Sequence, residues 1–424
     1  MPAAPSLLIV PYRSKTGRLY SQIPVPVAPA TTGAGDFTVT RNTTATRFNS
    51  AGLLESVASG IPRLDYYTSG GTAGCPALLV EPSGTNLALQ SANFLTTWSP
   101  TNIAVTTGST AAFTAPDGTT SADLLTASAS GSARIIQSFT FVSGTTYSYS
   151  AFAKAGSGFF GLTMENGGVA SGAAVVWNLN TGALAVSGAV GAGYTLQSQG
   201  IENYGNGWYR CRMTVLLGLG AAGNIRANTS DGTMTSAIIN SASGNTAYVW
   251  GAQLETGSVA TSYIPTTTGT GSRSADVVSV SGAVSGSIGQ TAGTFYLDLT
   301  YSLRLTSTAT RWIQIFGSSN NIGLAVATTN IVRSIVNGQS DILSTPSTAD
   351  GVKIAWGYDG SGVVCFVNGT QYTLTTGGAQ IITQLNQISL DLSTTNAIGN
   401  CRLRAMALYT TRLTDDELAT LTTL

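Results

Sequence analysis

The chain has 424 residues, a formal net charge of zero, no histidine, and only 9% charged residues. This length exceeds what one hydrophobic core usually fills, so two to four folding units are expected. The sparse, balanced charge argues against nucleic acid or an anionic membrane surface as a partner, because binding either depends on clustered lysine and arginine. Without imidazole, Ser-His-Asp and Cys-His nucleophilic sites and most transition-metal sites are excluded, and we predict no metal and no cofactor.

Neither a secretory signal nor a membrane-spanning segment is predicted. The first six residues carry no basic side chain, and the apolar run Leu7–Val10 ends at Pro11. No uninterrupted apolar stretch is long enough to cross a bilayer. Valine, isoleucine, leucine, tyrosine and tryptophan recur in short alternating runs, which disordered chains lack. We therefore expect an all-β protein that is made in the cytoplasm and inserts into no membrane.

Residues 1–38 are predicted to form an extended N-terminal docking segment and a proline-rich linker. The apolar run in SLLIVPYR precedes a turn at Ser14–Gly17, and the closely spaced prolines that follow cannot all donate to a sheet ladder. Such a terminus cannot fold alone and would need a partner. The predicted attachment residues are Leu7, Leu8, Ile9, Val10 and Tyr12. The alternative is an ordinary first strand that packs on the rest of the protein.

Residues 39–88 contain the most distinctive motif of the chain. Its ordered elements are Ala45-Thr46-Arg47 with Asn49, Gly52–Glu55, Pro62–Tyr66, Leu78–Pro82 and Thr85–Leu87. This order resembles a segment that recurs in fibre and spike proteins of tailed bacteriophages, where it links a virion-attachment end to β-rich outer domains. One position departs from the pattern, because relatives usually carry a basic residue just before Thr-Asn-Leu and this chain has Gly84.

The resemblance implies a structural protein located in a virion. Fibres of this kind usually wind three chains, and a segment with little apolar content would gain burial by packing against copies of itself or a neighbour. We therefore expect a homo-oligomer, with a trimer favoured, that contacts other virion proteins through its N-terminal region. A position on the head and a position on the tail both remain open.

Residues 89–271 are predicted to form an all-β domain. Alternating runs bounded by glycine, serine and asparagine predict strands at 133–141, 146–154, 173–179, 208–217 and 246–254. Short strands at this spacing are typical of a β-sandwich. The two ends of the piece, Asn86–Ser91 and Trp250–Glu255 followed by Tyr263–Thr266, resemble those of carbohydrate-binding-module-like jelly rolls in phage virion proteins.

The predicted strand at 208–217 supplies the candidate glycan site. Alternation places Tyr209 and Cys211 toward the core and Trp208 on the opposite face, together with two arginines. An aromatic ring can stack on a pyranose while guanidinium groups bind its hydroxyls. The predicted ligand-binding residues are Tyr204, Trp208, Arg210 and Arg212. In the alternative, the arginines stack on the indole or bind a neighbouring subunit.

Residues 272–424 are predicted to form a second all-β domain. Strands are predicted at 294–300, 312–316, 322–327, 353–358, 363–367 and 401–409, with a hairpin turn at Asn368-Gly369. Thr414 and Glu417 have capping-box spacing, which predicts a short terminal helix. The pattern resembles concanavalin-like and laminin-G-like jelly rolls. A disulfide between Cys365 and Cys401 and a pair of buried thiols both remain open.

No catalytic residue is predicted. Concanavalin-like glucanases carry an E-x-D-x-x-E type strand motif, and Glu417 is the only glutamate in residues 272–424. A pair built from Glu165 and Glu202 has nothing in its local sequence to mark it. We therefore predict two jelly-roll β-sandwiches in tandem, forming a non-enzymatic virion fibre or spike that attaches to host-surface glycan. The alternatives are a capsid decoration protein without a specific ligand and a polysaccharide depolymerase.

Overall fold

The computed structural model describes residues 4–11, 14–21, 36–67, 73–166, 171–218, 220–280, 285–303, 310–317, 320–326, 332–342, 351–375, 385, 387–390 and 399–424. Within these ranges the chain folds almost wholly into antiparallel β-strands, which confirms the predicted all-β class. No helix there combines the length and the apolar character needed to cross a bilayer.

The strands fall into three groups along the chain. The N-terminal group comprises β1 (Leu7–Ile9), β2 (Ser14–Lys15), β3 (Arg18–Leu19), β4 (Phe37–Thr40), β5 (Ala45–Phe48), β6 (Leu54–Val57), β7 (Leu64–Asp65), β8 (Ala77–Val80) and β9 (Gly84–Asn86). The central group comprises β10 (Ser99–Thr101), β11 (Ile103–Thr107), β12 (Asp123–Ala127), β13 (Arg134–Phe141), β14 (Thr145–Ala155), β15 (Phe159–Glu165), β16 (Gly172–Asn178), β17 (Ala183–Val190), β18 (Tyr194–Asn203), β19 (Trp208–Leu217), β20 (Ala221–Ser230), β21 (Met234–Thr235), β22 (Ile238–Ile239) and β23 (Thr246–Thr256). The C-terminal group comprises β24 (Gly271–Arg273), β25 (Val277–Val280), β26 (Gly293–Leu303), β27 (Thr310–Phe316), β28 (Asn321–Val326), β29 (Val332–Val336), β30 (Gln339–Ile342), β31 (Val352–Asp359), β32 (Gly362–Val367), β33 (Thr370–Tyr372), β34 (Gln387–Leu390) and β35 (Gly399–Tyr409), followed by helix α1 (Asp415–Thr422).

The central group forms a β-sandwich of two six-stranded sheets. Sheet A has the order β10-β13-β20-β15-β16-β17, and sheet B has the order β11-β12-β23-β14-β19-β18. Alternate side chains of both sheets point inward, so that Leu162 of sheet A shares one fully buried core with Tyr149 and Met213 of sheet B. The opposite faces of the two sheets are therefore the ones left to meet other parts of the protein or solvent.

The second sandwich is built from both ends of the described chain. Sheet C has the order β33-β32-β31-β26-β35-β8-β7, with β1 also paired to β35, and sheet D has the order β2-β3-β4-β25-β34-β27-β28-β29-β30. Leu7 lies opposite Leu408 across β1 and β35, and Val39 lies opposite Val278 across β4 and β25. Side chains of the N-terminal and C-terminal strands share one hydrophobic core.

The central sandwich is thus an insertion into the second one. The chain enters it after β9 and leaves it at β24, and these two strands pair with each other, placing Asn86 opposite Gly271. Residues 1–38 and 39–88 are consequently not separate pieces, because their strands complete the same sheets as residues 272–424. The expected tandem arrangement is corrected to a nested one.

The predicted attachment residues are part of this core. Leu7 and Ile9 are fully buried, and the backbone of β1 is paired along β35. Leu8 is half-buried against the apolar cluster beside helix α1, and Val10 is half-buried. Tyr12 lies outside the described residues. A strand that already fills a hydrophobic core and a sheet edge cannot serve as a docking peptide, so the alternative of an ordinary first strand applies.

The two cysteines of the second sandwich are buried thiols. Strands β31 and β26 lie between β32, which carries Cys365, and β35, which carries Cys401. Three interstrand spacings alone place the two residues at least about 14 Å apart, and the register shifts them further along the strands, whereas a disulfide needs Cα atoms within about 7 Å. Burial raises the pKa of the Cys401 thiol to about 12.

Helix α1 begins with the predicted capping box. The Thr414 hydroxyl accepts a hydrogen bond from the Glu417 backbone amide, and the Glu417 carboxylate accepts one from the Thr414 backbone amide. The helix packs its buried Leu418 against the outer face of sheet C. Local sequence therefore determines where this helix begins.

Candidate functional site

The predicted glycan residues are covered rather than displayed. Trp208 is 2% exposed and Tyr204 is 8% exposed, and Arg210 is also buried. The alternation along β19 is as predicted, since Cys211 and Met213 lie in the core of the central sandwich. However, the β5–β6 hairpin packs on the opposite face of sheet B and forms an apolar cluster with Trp208 and Tyr204.

Polar atoms on this covered face are engaged within the chain. Trp208 Nε1 donates to the Thr114 carbonyl at 2.9 Å, and Arg210 donates to Ser150 Oγ at 3.1 Å. The Arg210 guanidinium also lies 5.5 Å from the centre of the Phe152 ring. These groups are therefore buried and bonded within the chain, and are not displayed to a ligand.

Arg212 is the one predicted ligand residue that keeps substantial exposure, with 28% of its side chain accessible. Its Nε lies 3.1 Å from the carboxylate of Glu202 on the neighbouring strand β18. The predicted site is therefore corrected: Tyr204, Trp208 and Arg210 are buried on the face of sheet B that the N-terminal hairpin packs against, and Arg212 lies apart from them in a partly exposed ion pair.

A buried ionic cluster joins the two sandwiches, and we call it the junction network. Its members are Arg41, Arg63, Glu81, Arg273 and Asp276, and their side chains are at most 1% exposed. Arg63 lies 2.7 Å from Glu81 and also pairs with Asp276. Arg41 lies 2.9 Å from Asp276, and Arg273 pairs with Glu81. These residues come from the N-terminal and C-terminal parts of the second sandwich. Glu81, Arg273 and Asp276 lie close in sequence to strands β9 and β24, where the chain enters and leaves the central sandwich.

Opposite charges decide the ionisation of this network. Burial alone would raise the pKa of Glu81, but Arg273 and Arg63 hold it well below its ordinary value. Burial alone would lower the pKa of Arg63, but Asp276 and Glu81 hold it above its ordinary value. The Glu81 carboxylate also accepts hydrogen bonds from the Ser262 amide and hydroxyl, at 2.8 and 2.6 Å. The network thus ties the central sandwich to the second one through charged hydrogen bonds.

The distinctive motif of residues 41–87 has a structural role at this junction. Thr46 Oγ1 donates to the Tyr263 carbonyl at 2.6 Å, and Asp65 accepts from the Phe48 amide at 2.7 Å. Asn86 accepts from the Leu254 amide at 3.0 Å. Together with Arg63 and Glu81, these polar residues hold the segment to strands of the same chain. The segment thus gains its burial from other strands of the same chain and does not need copies of itself for that purpose.

The outer face of sheet A carries a second polar constellation. The inward residues of β15, including Leu162, fill the core, so their neighbours in the strand point outward. Reading across β15, β20 and β13, the outward rows are Glu165, Asn224 and Ser138, then Thr163, Arg226 and Ile136, then Gly161, Asn228 and Arg134. We use the name polar face for Arg134, Thr163, Glu165, Asn224, Arg226 and Asn228.

Hydrogen bonds cross the strands of the polar face. The Arg226 guanidinium lies 2.5 Å from a carboxylate oxygen of Glu165, and Asn224 Nδ2 donates to the same oxygen at 2.5 Å. Asn228 Nδ2 donates to the Gly161 carbonyl at 3.2 Å. The face therefore presents guanidinium, amide and carboxylate groups in a fixed register, which loops would not provide.

Part of the polar face is buried, and the side next to Ser138, which we call its open side, is exposed to solvent. Glu165 and Arg226 are buried, whereas Arg134 is half-buried and Ser138 is exposed. On the other side the β21–β22 hairpin packs Ile239 against the apolar part of sheet A. Ligand sites commonly combine a few fixed polar groups with an apolar wall of this kind.

The polar face carries more positive than negative charge. Burial lowers the pKa of both Arg134 and Arg226, and the Glu165 carboxylate opposes that shift. Arginine remains a cation at neutral pH despite such shifts. Two guanidinium groups face one carboxylate, so the constellation has a net positive charge within a protein that is neutral as a whole.

The structure offers no arrangement for the catalytic pair considered from the sequence. Glu165 lies on sheet A and Glu202 lies on sheet B, and each is ion-paired, the first with Arg226 and the second with Arg212. In the part of the chain that the structure describes, no group of histidine, cysteine, aspartate and glutamate could hold a metal ion.

The sequence contains a local signal for one strand of the polar face. In Asn224-Ile-Arg226-Ala-Asn228 the polar residues alternate with apolar ones, which places all three on one face of a strand. Arg134 and Glu165 carry no such local signal. They belong to the face only because β13 and β15 flank β20 in the sheet.

The comparisons with known proteins give structural likenesses only. No protein-family model matches the chain, and no curated protein matches it. The carbohydrate-binding module CBM40 of Ruminococcus gnavus IT-sialidase shares 13% identity with a TM-score of 0.25, covering 32% of this chain and 84% of that one. Domain 4 of AbnA, an arabinanase from Geobacillus stearothermophilus, shares 13% identity with a TM-score of 0.28, covering 35% and 73%.

The third similar structure is matched over less than half of its own length. Trypanosoma rangeli sialidase shares 10% identity with a TM-score of 0.28, and the match covers 59% of this chain and 48% of the sialidase. At identities and TM-scores of this size, the function proposed below rests on the residues of this chain.

Proposed function

We propose that this chain is a structural protein of a tailed-phage particle, a fibre or spike that attaches to host-surface glycan through the polar face. The phage assignment is supported by the resemblance of residues 41–87 to the recurring fibre and spike segment. In this chain that segment anchors one β-sandwich inside another through the junction network. A rigid mount of this kind suits a protein that must hold an outer domain in a fixed orientation.

The observation that carries the glycan assignment is the cross-strand register of the polar face. Sugars present hydroxyl groups that donate and accept hydrogen bonds, and rows of arginine, asparagine and glutamate complement both. The groups stand on three neighbouring strands, so their spacing is fixed by the sheet. Arg134 and Asn224 are the half-buried members of the face, and a ligand would meet them from the open side next to Ser138. The buried members of the face, which would hold these contact residues in place, are Thr163, Glu165, Arg226 and Asn228.

The test is a glycan array probed with the full chain and two serine variants. Ser138→Trp places an indole at the open side of the polar face and should abolish binding. Ser56→Trp makes the same change at an exposed strand position on β6, far from the polar face in the fold, and should bind as the parent does. Equal binding by both variants would contradict the site, and no binding by the folded parent would favour a decoration protein without a ligand.

The proposed location in a phage particle is tested by separate experiments. Mass spectrometry of purified virions from the phage that encodes the chain should detect it as a stoichiometric component. Light scattering coupled to size exclusion should give a homo-oligomer, and a trimer is the expectation that the resemblance to fibres implies. Binding without hydrolysis is proposed, so release of reducing sugar from host polysaccharide would argue for a depolymerase.

A further inference from the structure

We infer that the polar face recognises the carboxylate of an acidic sugar, such as a uronic or sialic acid unit, and that Arg134 is the residue that binds it. This inference rests on the proposed function and specifies the ligand of the same site. It starts from the charge of the face, where Arg134 and Arg226 meet the single carboxylate of Glu165.

Arg134 is the cation of the face that forms no direct ion pair in the part of the chain that the structure describes, although the Glu165 carboxylate is near enough to oppose the lowering of its pKa. None of the ion pairs among the described residues includes it. Its only hydrogen bond there is a long one, from Nη1 to the Ser132 carbonyl at 3.4 Å. Its Nε is buried and has no hydrogen-bond partner in the structure. A partly desolvated guanidinium without a carboxylate in direct contact gains more from an incoming anion than a fully hydrated guanidinium would.

The rest of the face shows how a carboxylate fits this surface. The Glu165 carboxylate lies between Arg226 and Asn224, with both contacts at 2.5 Å. On the adjacent row, Arg134 stands next to Asn228, which again places a guanidinium beside an amide. Asn228 Nδ2 already donates to the Gly161 carbonyl and to the Thr163 hydroxyl, at 3.2 and 3.3 Å. A sugar carboxylate would therefore bind to the planar guanidinium of Arg134, which is able to donate two parallel hydrogen bonds.

Glu165 also limits which anions suit the site. It neutralises one of the two arginines and leaves a net charge of about one positive unit. A monovalent carboxylate matches that charge, whereas a phosphate or a cluster of sulfates would bring excess negative charge close to Glu165. We therefore commit to the carboxylate and treat sulfated and phosphorylated sugars as competing outcomes.

The experiment compares acidic oligosaccharides with their carboxyl-reduced counterparts. Oligosaccharides of galacturonic, glucuronic and sialic acid, and the same chains with each carboxyl reduced to an alcohol, are titrated calorimetrically into the full chain. The acidic form of the preferred sugar should bind at least tenfold more tightly than its reduced form. This preference should shrink as salt is raised, because the contact is ionic.

Two variants and one control assign the effect to Arg134. Arg134→Gln should lower affinity for the acidic form at least tenfold and leave affinity for the reduced form unchanged. Glu165→Gln removes the competing negative charge and should raise affinity for the acidic form several-fold. Arg212→Gln removes a partly exposed arginine from the other sheet and should change neither affinity. Circular dichroism and thermal melts confirm that each variant is folded before it is titrated.

The outcomes separate this inference from the proposed function. Equal binding of acidic and reduced sugars, abolished by Ser138→Trp, would overturn the inference and leave the glycan site intact. Binding of sulfated or phosphorylated sugars alone would overturn it as well. Failure of every glycan to bind the folded parent would overturn both.

Discussion

The junction network and the polar face are both built from arginines and carboxylates on β-strands, yet they differ in how completely those charges are compensated. In the junction network, Arg63 contacts two carboxylates and also donates to the Ser262 hydroxyl at 2.8 Å. In the polar face, Arg226 contacts one carboxylate and Arg134 contacts none. The first arrangement is sealed between two sandwiches, whereas the second has an open side.

This difference separates a structural role from a binding role. Charges that are fully paired within the chain have little left to offer a ligand, and losing one member leaves its partners buried and uncompensated. A charge that is only partly compensated contributes little to folding, but it keeps donors available to a ligand. We therefore expect changes at the junction to affect stability and changes at Arg134 to affect binding.

The largest effect is expected from Arg63→Ala. The change leaves Glu81 and Asp276 short of a buried partner and should lower the free energy of unfolding by about 3–5 kcal/mol. Arg47→Ala is the matched control, because Arg47 pairs with Glu55 in a partly exposed bridge and should cost about 0–1 kcal/mol. Urea denaturation measures both, and equal losses in the two variants would contradict the distinction between buried and exposed pairs.

Trp208→Ala should follow, with a loss of about 3 kcal/mol from the cavity left under the β5–β6 hairpin. The Trp208 side chain is buried and its indole N–H is bonded to Thr114, so folding should suffer. Thermal unfolding followed by near-ultraviolet circular dichroism measures the loss. If the variant instead kept its stability and lost glycan binding, the covered face would have to be the ligand site after all.

Acid should weaken the junction through Glu81. Its folded-state pKa is held well below the ordinary value of 4.5, so the unfolded chain takes up a proton while the folded carboxylate stays ionised. The stabilisation is therefore complete above about pH 4.5 and is lost as the pH falls further, by at least about 1 kcal/mol. Unfolding free energies measured between pH 5 and pH 3 should fall less steeply in Glu81→Gln, and an unchanged slope would show that other carboxylates govern acid sensitivity.

The smallest effect on stability is expected from Arg134→Gln, at less than about 0.5 kcal/mol. Arg134 is half-buried and contributes no ion pair among the described residues, so the fold gains little from its charge. The same urea titration used for Arg63→Ala provides the measurement. A loss as large as that of Arg63→Ala would make the polar face a second structural network and remove its distinction from the junction.

Much of the local structure follows from sequence. Strand β19 has the predicted bounds 208–217, and the capping box of Thr414 and Glu417 begins the predicted helix. Strand β20 is not predicted from the sequence, because half of AAGNIRANTS is alanine or asparagine, which have low β propensity. It forms in the centre of sheet A because β13 and β15 supply hydrogen bonds on both edges.

The candidate site was harder to predict than the strands. The apolar alternation of β19 correctly separated its two faces, but a strand pattern does not reveal which face another segment will cover. The β5–β6 hairpin lies far from Trp208 in sequence and reaches it only through the nested topology. The local sequence pattern therefore separated the two faces of β19 correctly, but the prediction that the face with Trp208 binds glycan was wrong.

The sequence by itself determined the all-β class, the inward residues of the main strands and the start of the terminal helix, because each depends on neighbours only a few residues away. Tertiary structure alone decided that Leu7 pairs opposite Leu408, that the central sandwich is inserted into the other, and that Arg134, Arg226 and Glu165 share one face. The physical reason is that pairing between distant strands is chosen by the burial and hydrogen bonding of the whole sheet, which no short stretch of sequence contains.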